Sequence, residues 1–180
     1  MKKLLTFLII LVVIYGGWYF LSPLFINQSV DEALPTQNSE IPNQIEKVPS
    51  DVIMGEDVIM DEGMMPSPEP SVDVLGSFTG ADNFHKASGN ALVVTDIESQ
   101  YLRFEDFSVT NGPELVVLLS TNENPAQSGE LGEYVELAAL KGNKGSQNYS
   151  LDDIDLTKYN SVVIYCKPFK TIFGSAGIEL

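Results

Sequence analysis

The side chain best suited to redox chemistry in this sequence belongs to Cys166, the one cysteine of the chain. A lone thiol forms no internal disulfide, so any thiol redox step needs a partner from outside the chain. In a strand that begins at Val162, a period of two places Cys166 on the same face as Val162 and Ile164. Lys167 points to the opposite face, where it does little to lower the thiol pKa. The pattern therefore favours a buried cysteine that packs as a small hydrophobic residue over a reactive one.

The second candidate for chemistry is His85, the one histidine. It lies in the loop-like stretch Ala81-Asp82-Asn83-Phe84-His85-Lys86, between the first two predicted strands. One interpretation pairs His85 with Cys166, as the partner of a thiolate or as a second metal ligand. The other interpretation leaves His85 as a structural residue that hydrogen-bonds its own loop.

The number of available ligands excludes several cofactors. Blue copper needs two histidines and one cysteine, iron–sulfur clusters need several thiolates, and structural zinc needs four nitrogen or sulfur ligands. The Cys-x-x-Cys-His motif of covalent haem is absent from the sequence. The number of ligands does allow a non-covalent haem with Cys166, His85 or a methionine as its axial ligand, but no motif in the sequence supports one. The cofactor is therefore unknown, and the sequence predicts no metal site.

Catalytic motifs are absent as well. The sequence contains no His-Glu-x-x-His, no phosphate-binding loop and no Gly-x-Ser-x-Gly. Asp152, Asp153 and Asp155 lack the glycine turn and the distal glutamate of a calcium loop, so they favour the cap of a short helical turn. We predict that the protein is not an enzyme.

The charge of the chain is strongly negative. Ten Lys and Arg residues face 25 Asp and Glu residues, a net charge of −15. Nucleic-acid binding needs a face rich in lysine and arginine to neutralise phosphates, and this composition argues against one. The sequence therefore predicts no nucleic-acid partner.

Residues 4–25 form an apolar run, and no charge occurs between Lys3 and Asp31. A helix needs about 20 such residues to cross a bilayer. A cleaved signal peptide is the alternative, but its apolar core is shorter and ends in a small-x-small site, which this run lacks. Two lysines precede the run, which places the N-terminus in the cytoplasm. We therefore expect residues 1–25 to be a cytoplasmic tip and an uncleaved membrane anchor, with the rest of the chain extracytoplasmic in the cell membrane.

Residues 26–71 have the composition of a disordered acidic linker, with scattered proline, serine, asparagine and glutamine. A flexible chain of this length has a mean end-to-end distance of roughly 35–40 Å. The sequence Asp-Val-Ile-Met occurs at residues 51–54 and again at residues 57–60, followed by Met64-Met65. A drifting duplication in a linker explains this repeat better than a methionine-rich metal loop or a partner-binding segment, because nothing brings the methionines together.

Residues 72–180 read as short strands separated by turn signals, which is typical of an all-β fold. The sequence predicts a single antiparallel β-sandwich or barrel-like domain of about eight strands. The candidate strands cover residues 73–78, 91–96, 100–104, 115–120, 134–140, 146–151, 162–167 and 171–173. Gly89-Asn90, Asn111-Gly112-Pro113 and the stretch from Gly142 to Gly145 are predicted turns, because glycine and asparagine tolerate positive φ.

Five stretches of this region, in order, resemble the DM-thirteen domain family. They are Gly76-Ser77-Phe78 with His85 and Gly89; Leu102-x-Phe104-x-x-Phe107; Asn111-Gly112-Pro113-Glu114-Leu115 with residues 117–120; Leu140-Lys141-Gly142 with Gly145-x-Gln147-x-Tyr149; and residues 161–169 with Phe173-Gly174-x-Ala176. The resemblance implies a β-sandwich-like module, extracellular or membrane-attached, found in some larger proteins beside DOMON and cytochrome-b-type domains. It also implies an electron-transfer role linked to the cysteine that matches Cys166.

The expected function is therefore that of a membrane-tethered extracytoplasmic β module, linked to electron transfer through Cys166 and acting with an unknown protein or redox partner. The alternative is a cell-surface interaction or ligand-binding module without redox chemistry, which would use loops or an edge strand. The reactivity of Cys166 in the native domain distinguishes the two.

Overall fold

The computed structural model describes residues 2–21, 26–35, 70–96 and 99–179. In chain order its elements are α1 (Lys2–Leu21), β1 (Ser71–Ser77), β2 (Thr79–Gly80), β3 (Ala87–Thr95), β4 (Gln100–Val109), β5 (Leu115–Ser120), α2 (Pro125–Ser128), β6 (Tyr134–Ala139), β7 (Lys144–Ser150), a 3₁₀ turn (Leu156–Lys158), β8 (Ser161–Cys166) and β9 (Thr171–Gly177). Each of the eight predicted strands overlaps one of these strands. The two-residue strand β2 and the helix α2 were not predicted, because each is too short to show a period.

The strands form two antiparallel sheets. The first has the order β1-β3-β4-β7, and the second has the order β2-β9-β8-β5-β6. Since each sheet ends in edge strands, the described residues form no closed barrel. The prediction of an antiparallel sandwich is confirmed, and its barrel-like alternative is wrong.

The core lies between the sheets, where strands contribute every second residue. Phe78, Phe104, Phe107 and Tyr149 form an aromatic cluster, with ring centroids 4.8 Å apart for Phe78 and Phe104 and 5.2 Å apart for Phe104 and Tyr149. All six residues of β5 are buried. A second cluster around Ala126 of α2 covers the outer face of β5 and β8, which explains why these strands are apolar on both faces.

Gly89-Asn90 lies inside β3, where the pairing with β4 shifts register between Ser88 and Asn90. Gly89 has a φ of +103°, and a Cβ at this position would lie 2.7 Å from the carbonyl oxygens of Glu105 and Asp106. The turn predicted here is therefore a β-bulge. Turns and bulges both need a residue that accepts positive φ, so the local sequence does not distinguish them.

The N-terminal helix α1 exposes the apolar side chains that the structure describes in it, among them Leu4, Ile10 and Trp18. Judged on the described residues, no helix is long and apolar enough to cross a membrane. Residues 1 and 22–25 of the predicted anchor lie outside the described residues.

The predicted linker of residues 26–71 is only partly described. Residues 26–35 lie against β7 and are hydrogen-bonded to it, and β1 begins at Ser71. Residues 26–35 are therefore bound to the domain, unlike the free linker that the composition predicts. Residues 36–69, including the methionine repeat, lie outside the described residues.

Candidate functional site

Cys166 is the last residue of β8 and is fully buried. It pairs with Leu115 of β5 on one side and with Thr171 of β9 on the other. Its side chain belongs to the main core together with Val162 and Ile164, whereas Val163 belongs to the cluster on the outer face. The period-two prediction for this strand is confirmed.

The surroundings of Cys166 raise the pKa of its thiol and so favour the protonated form. Desolvation by burial is the largest influence and raises the pKa of the thiol, Glu114 raises it further, and a backbone hydrogen bond from Phe169 acts in the opposite direction. The Sγ atom donates a hydrogen bond to the carbonyl oxygen of Pro113, 3.1 Å away. Because the thiolate is the nucleophile, Cys166 is poorly reactive in this conformation.

Two turns flank the thiol, one before β5 and one between β8 and β9. Each contains a residue with positive φ that is not glycine, Glu114 at +46° and Lys170 at +51°. The side chain of Lys167 points away from the thiol, because its Nζ lies 3.0 Å from the carboxylate of Glu136 on β6. The predicted separation of Lys167 from Cys166 is therefore observed.

His85 hydrogen-bonds its own loop. Its Nδ1 lies 2.7 Å from Oδ2 of Asp82, while Oδ1 of Asp82 accepts bonds from the backbone N–H groups of Phe84 and His85. The hydrogen bond with the His85 side chain is the main reason that the pKa of Asp82 falls to about 2. The His85 ring packs against Phe173, with centroids 4.4 Å apart. This geometry matches the structural interpretation of His85.

The described hydrogen bonds of the two candidates go to different partners, Asp82 for His85 and Pro113 for Cys166. The His85 ring packs on Phe173, whereas Cys166 pairs with Leu115, and Gly112 lies close to the ring of Phe173 and to a methyl group of Leu115. The structure therefore places no hydrogen bond between His85 and the thiol.

The described residues contain no group of three or more His, Cys, Asp or Glu side chains arranged to hold a metal ion. Asp155 instead accepts a hydrogen bond from the backbone N–H of Thr157 and caps the 3₁₀ turn. The capping interpretation of this aspartate is confirmed.

An open cavity of about 710 Å³, lined by both polar and apolar groups, was not anticipated from the sequence. Its lining includes Asn27, Lys86, Ser108, Asn111, Asn143 and Lys144. The side-chain oxygen of Asn27 accepts bonds from the amides of Asn143, at 2.9 Å, and Asn111, at 3.2 Å. These three asparagines are far apart in the chain, so no local signal indicates that they meet.

A comparison with protein families adds a finding to this geometry. The family model described as electron transfer DM13 matches residues 77–178, which is more than half of the chain. The chain belongs to the DM13 family. No curated protein and no solved structure matches it. The resemblance inferred from the five stretches is thereby confirmed for the DM13 domain, and the family is one associated with electron transfer. The match includes His85 and Cys166 but neither α1 nor residues 26–35.

Proposed function

We propose that this protein is a non-enzymatic DM13 module that takes part in electron transfer outside the cytoplasm, with Cys166 as the redox-linked group. The observation that carries the proposal is the electron-transfer family match over residues 77–178. Within those residues Cys166 is the one side chain that contains sulfur.

A redox step at a buried thiol requires the flanking turns to open. Once exposed and deprotonated, Sγ of Cys166 attacks a disulfide of the partner, forms a mixed disulfide and releases the second partner sulfur as a thiolate. Burial of Cys166 and the hydrogen bond to Pro113 oppose this step in the closed conformation. We propose that docking of the partner near the strained residues Glu114 and Lys170 favours the open conformation.

We propose further that residues 4–25 anchor the module in the membrane, with the N-terminus in the cytoplasm. The support is the sequence: the apolar run is uncharged, begins after two lysines and continues to Phe25, beyond the last residue of α1. The electron-transfer partner would then be met at the membrane surface.

The cavity beside Asn27, Asn111 and Asn143 supports a second candidate function, ligand binding or partner binding without redox chemistry. Its volume of about 710 Å³ suits a small molecule. Neither Cys166 nor His85 lines this cavity, so ligand binding there would be independent of the thiol.

Reaction of the purified full-length chain with glutathione disulfide tests the role of Cys166. We expect the native chain to form a mixed disulfide slowly and to release one glutathione thiolate per chain, both of which mass spectrometry detects. The matched control is Val162→Ala, which truncates a fully buried neighbour on the same face, keeps the thiol and should form the same mixed disulfide. A native chain that forms no mixed disulfide, while the denatured chain does, rejects the redox role and favours the ligand-binding alternative.

A further inference from the structure

Residues 26–35, here named the docked segment, run along the free edge of β7. Ser29 pairs with Lys144 as a parallel bridge. The backbone N–H of Val30 donates to the carbonyl oxygen of Lys144, and that of Glu32 donates to the carbonyl oxygen of Ser146, both at 2.9 Å. These two bonds have the direction of parallel pairing, and the docked segment lies beside β7 through one isolated parallel bridge.

Side chains of the domain also bind the docked segment. The Glu32 carboxylate accepts bonds from Nζ of Lys141, at 2.8 and 2.9 Å, and from the backbone N–H of Asn148, at 2.7 Å. Arg103 donates to the carbonyl oxygen of Glu32, at 3.0 Å, and Asn148 donates through its side-chain amide to that of Ala33, at 2.8 Å. The domain therefore binds both the main chain and one carboxylate of the segment.

The turn that carries Lys141 is held in place from within the domain. Gln147 is fully buried. Its amide donates to the carbonyl oxygen of Gly142 at 2.8 Å, and its oxygen accepts the hydroxyl of Tyr149 at 2.7 Å. The same hydroxyl oxygen accepts the backbone N–H of Lys141 at 3.2 Å. The backbone of Lys141 is thus positioned by contacts within the domain.

Two glycines allow the segment to approach this closely. A Cβ on Gly142 would lie 2.5 Å from the carbonyl oxygen of Gln28, and one on Gly145 would collide with the carbonyl oxygen of Val30. A side chain at either position would therefore push the segment away from β7.

We propose that the β7 edge is a docking site for an extended acidic segment, and that residues 26–35 of the same chain occupy it in a parallel orientation. An exposed sheet edge presents unpaired N–H and C=O groups that pair readily with any extended chain. The docked segment hydrogen-bonds two carbonyl oxygens of this edge, those of Lys144 and Ser146, and pairs Glu32 with Lys141.

This docking shortens the reach of the domain. Even when fully extended, the chain from Leu21 to Ile26 spans at most about 18 Å. A free linker over residues 26–71 would instead have a mean end-to-end distance of roughly 35–40 Å. The consequence, a domain that stays at the membrane surface, rests on the proposed anchor. The docking itself does not.

A protease site introduced among residues 36–69 of the full-length chain tests the docking in detergent solution. After cleavage we expect the N-terminal piece to stay with the β domain through gel filtration. Glu32→Gln should release that piece several-fold faster. The matched control is Asp31→Asn, which makes the same charge change at an exposed neighbour and should release it at the wild-type rate.

Immediate separation of the wild-type pieces, or equal release from the two variants, would overturn the proposal. Hydrogen exchange of β5 and β8 should be the same in all variants, which shows that the domain remains folded. Co-expression of two differently tagged chains provides a further check. A docked segment recovered on the domain of the other chain means exchange between copies and rejects docking within one chain. None of these outcomes affects the redox proposal, because Cys166 takes no part in them.

Discussion

At Cys166, the family match and the surroundings of the thiol lead to opposite expectations about its reactivity. The cysteine lies within the residues matched by an electron-transfer family, yet it is fully buried and its burial raises the pKa of the thiol. A buried thiol is mostly unreactive, and its reaction reports the rate at which the covering structure opens. The reactivity of this side chain is therefore governed by the two turns beside it.

We expect Cys166 in the native full-length chain to react with an alkylating reagent far more slowly than free cysteine. The same chain in denaturant should react at the rate of free cysteine, which serves as the control. Mass spectrometry of the intact chain over time measures both rates. Native labelling at the rate of free cysteine would contradict the closed, protonated site.

At the scale of elements, the contact between Glu32 and Lys141 joins the docked segment to the β6–β7 turn. Burial alone raises the pKa of Glu32, but the hydrogen bonds from Lys141 and Asn148, with the charges of Lys141 and Arg103, hold it below its ordinary value of 4.5. The ionised carboxylate therefore stabilises the docked state. That contribution is present above the ordinary pKa and is lost as the pH falls through the lowered value.

A double-mutant cycle with Glu32→Gln and Lys141→Met should give a coupling free energy of about 0.2–1 kcal/mol, as expected for a partly exposed pair. Denaturant unfolding of the four full-length proteins at neutral pH measures it. In acid, below pH 4.5, the coupling should decrease, because protonated Glu32 loses its charge. Zero coupling at neutral pH would mean that the pair contributes nothing to docking.

At the scale of the whole molecule, the nine strands form one DM13 sandwich, and residues 26–35, which precede the family match, lie against the β7 edge of the first sheet. The docked segment directly follows the apolar N-terminal run. The proposed anchor is therefore joined directly to the segment that contacts the domain, so the two together would set the position of the domain.

The anchor prediction is tested by mass spectrometry of the membrane fraction. We expect the mature chain to retain residues 1–25, because the apolar run lacks a small-x-small cleavage site. Extraction with carbonate, which leaves integral proteins in the pellet, provides the control. A mature N-terminus after Leu21, or release of the chain by carbonate, would contradict the anchor.

Local patterns in the sequence determined a large part of this structure. Alternation along β8 places Cys166 inside with Val162 and Ile164, because successive side chains of a strand point to opposite faces. The eight longer strands and the cap at Asp155 follow from equally local signals. Each depends on neighbouring residues, so one sequence is sufficient to predict it.

Only the tertiary structure decided the features that join distant residues. Glu32 meets Lys141 across 109 positions of the chain, and composition alone made residues 26–35 indistinguishable from a free linker. Gly89 signals positive φ, but the pairing of β3 with β4 makes it a bulge instead of a turn. His85 likewise bonds Asp82 in its own loop and not the thiol. Such contacts depend on how the sheets bring edges and turns together, and no periodicity in the sequence encodes that arrangement.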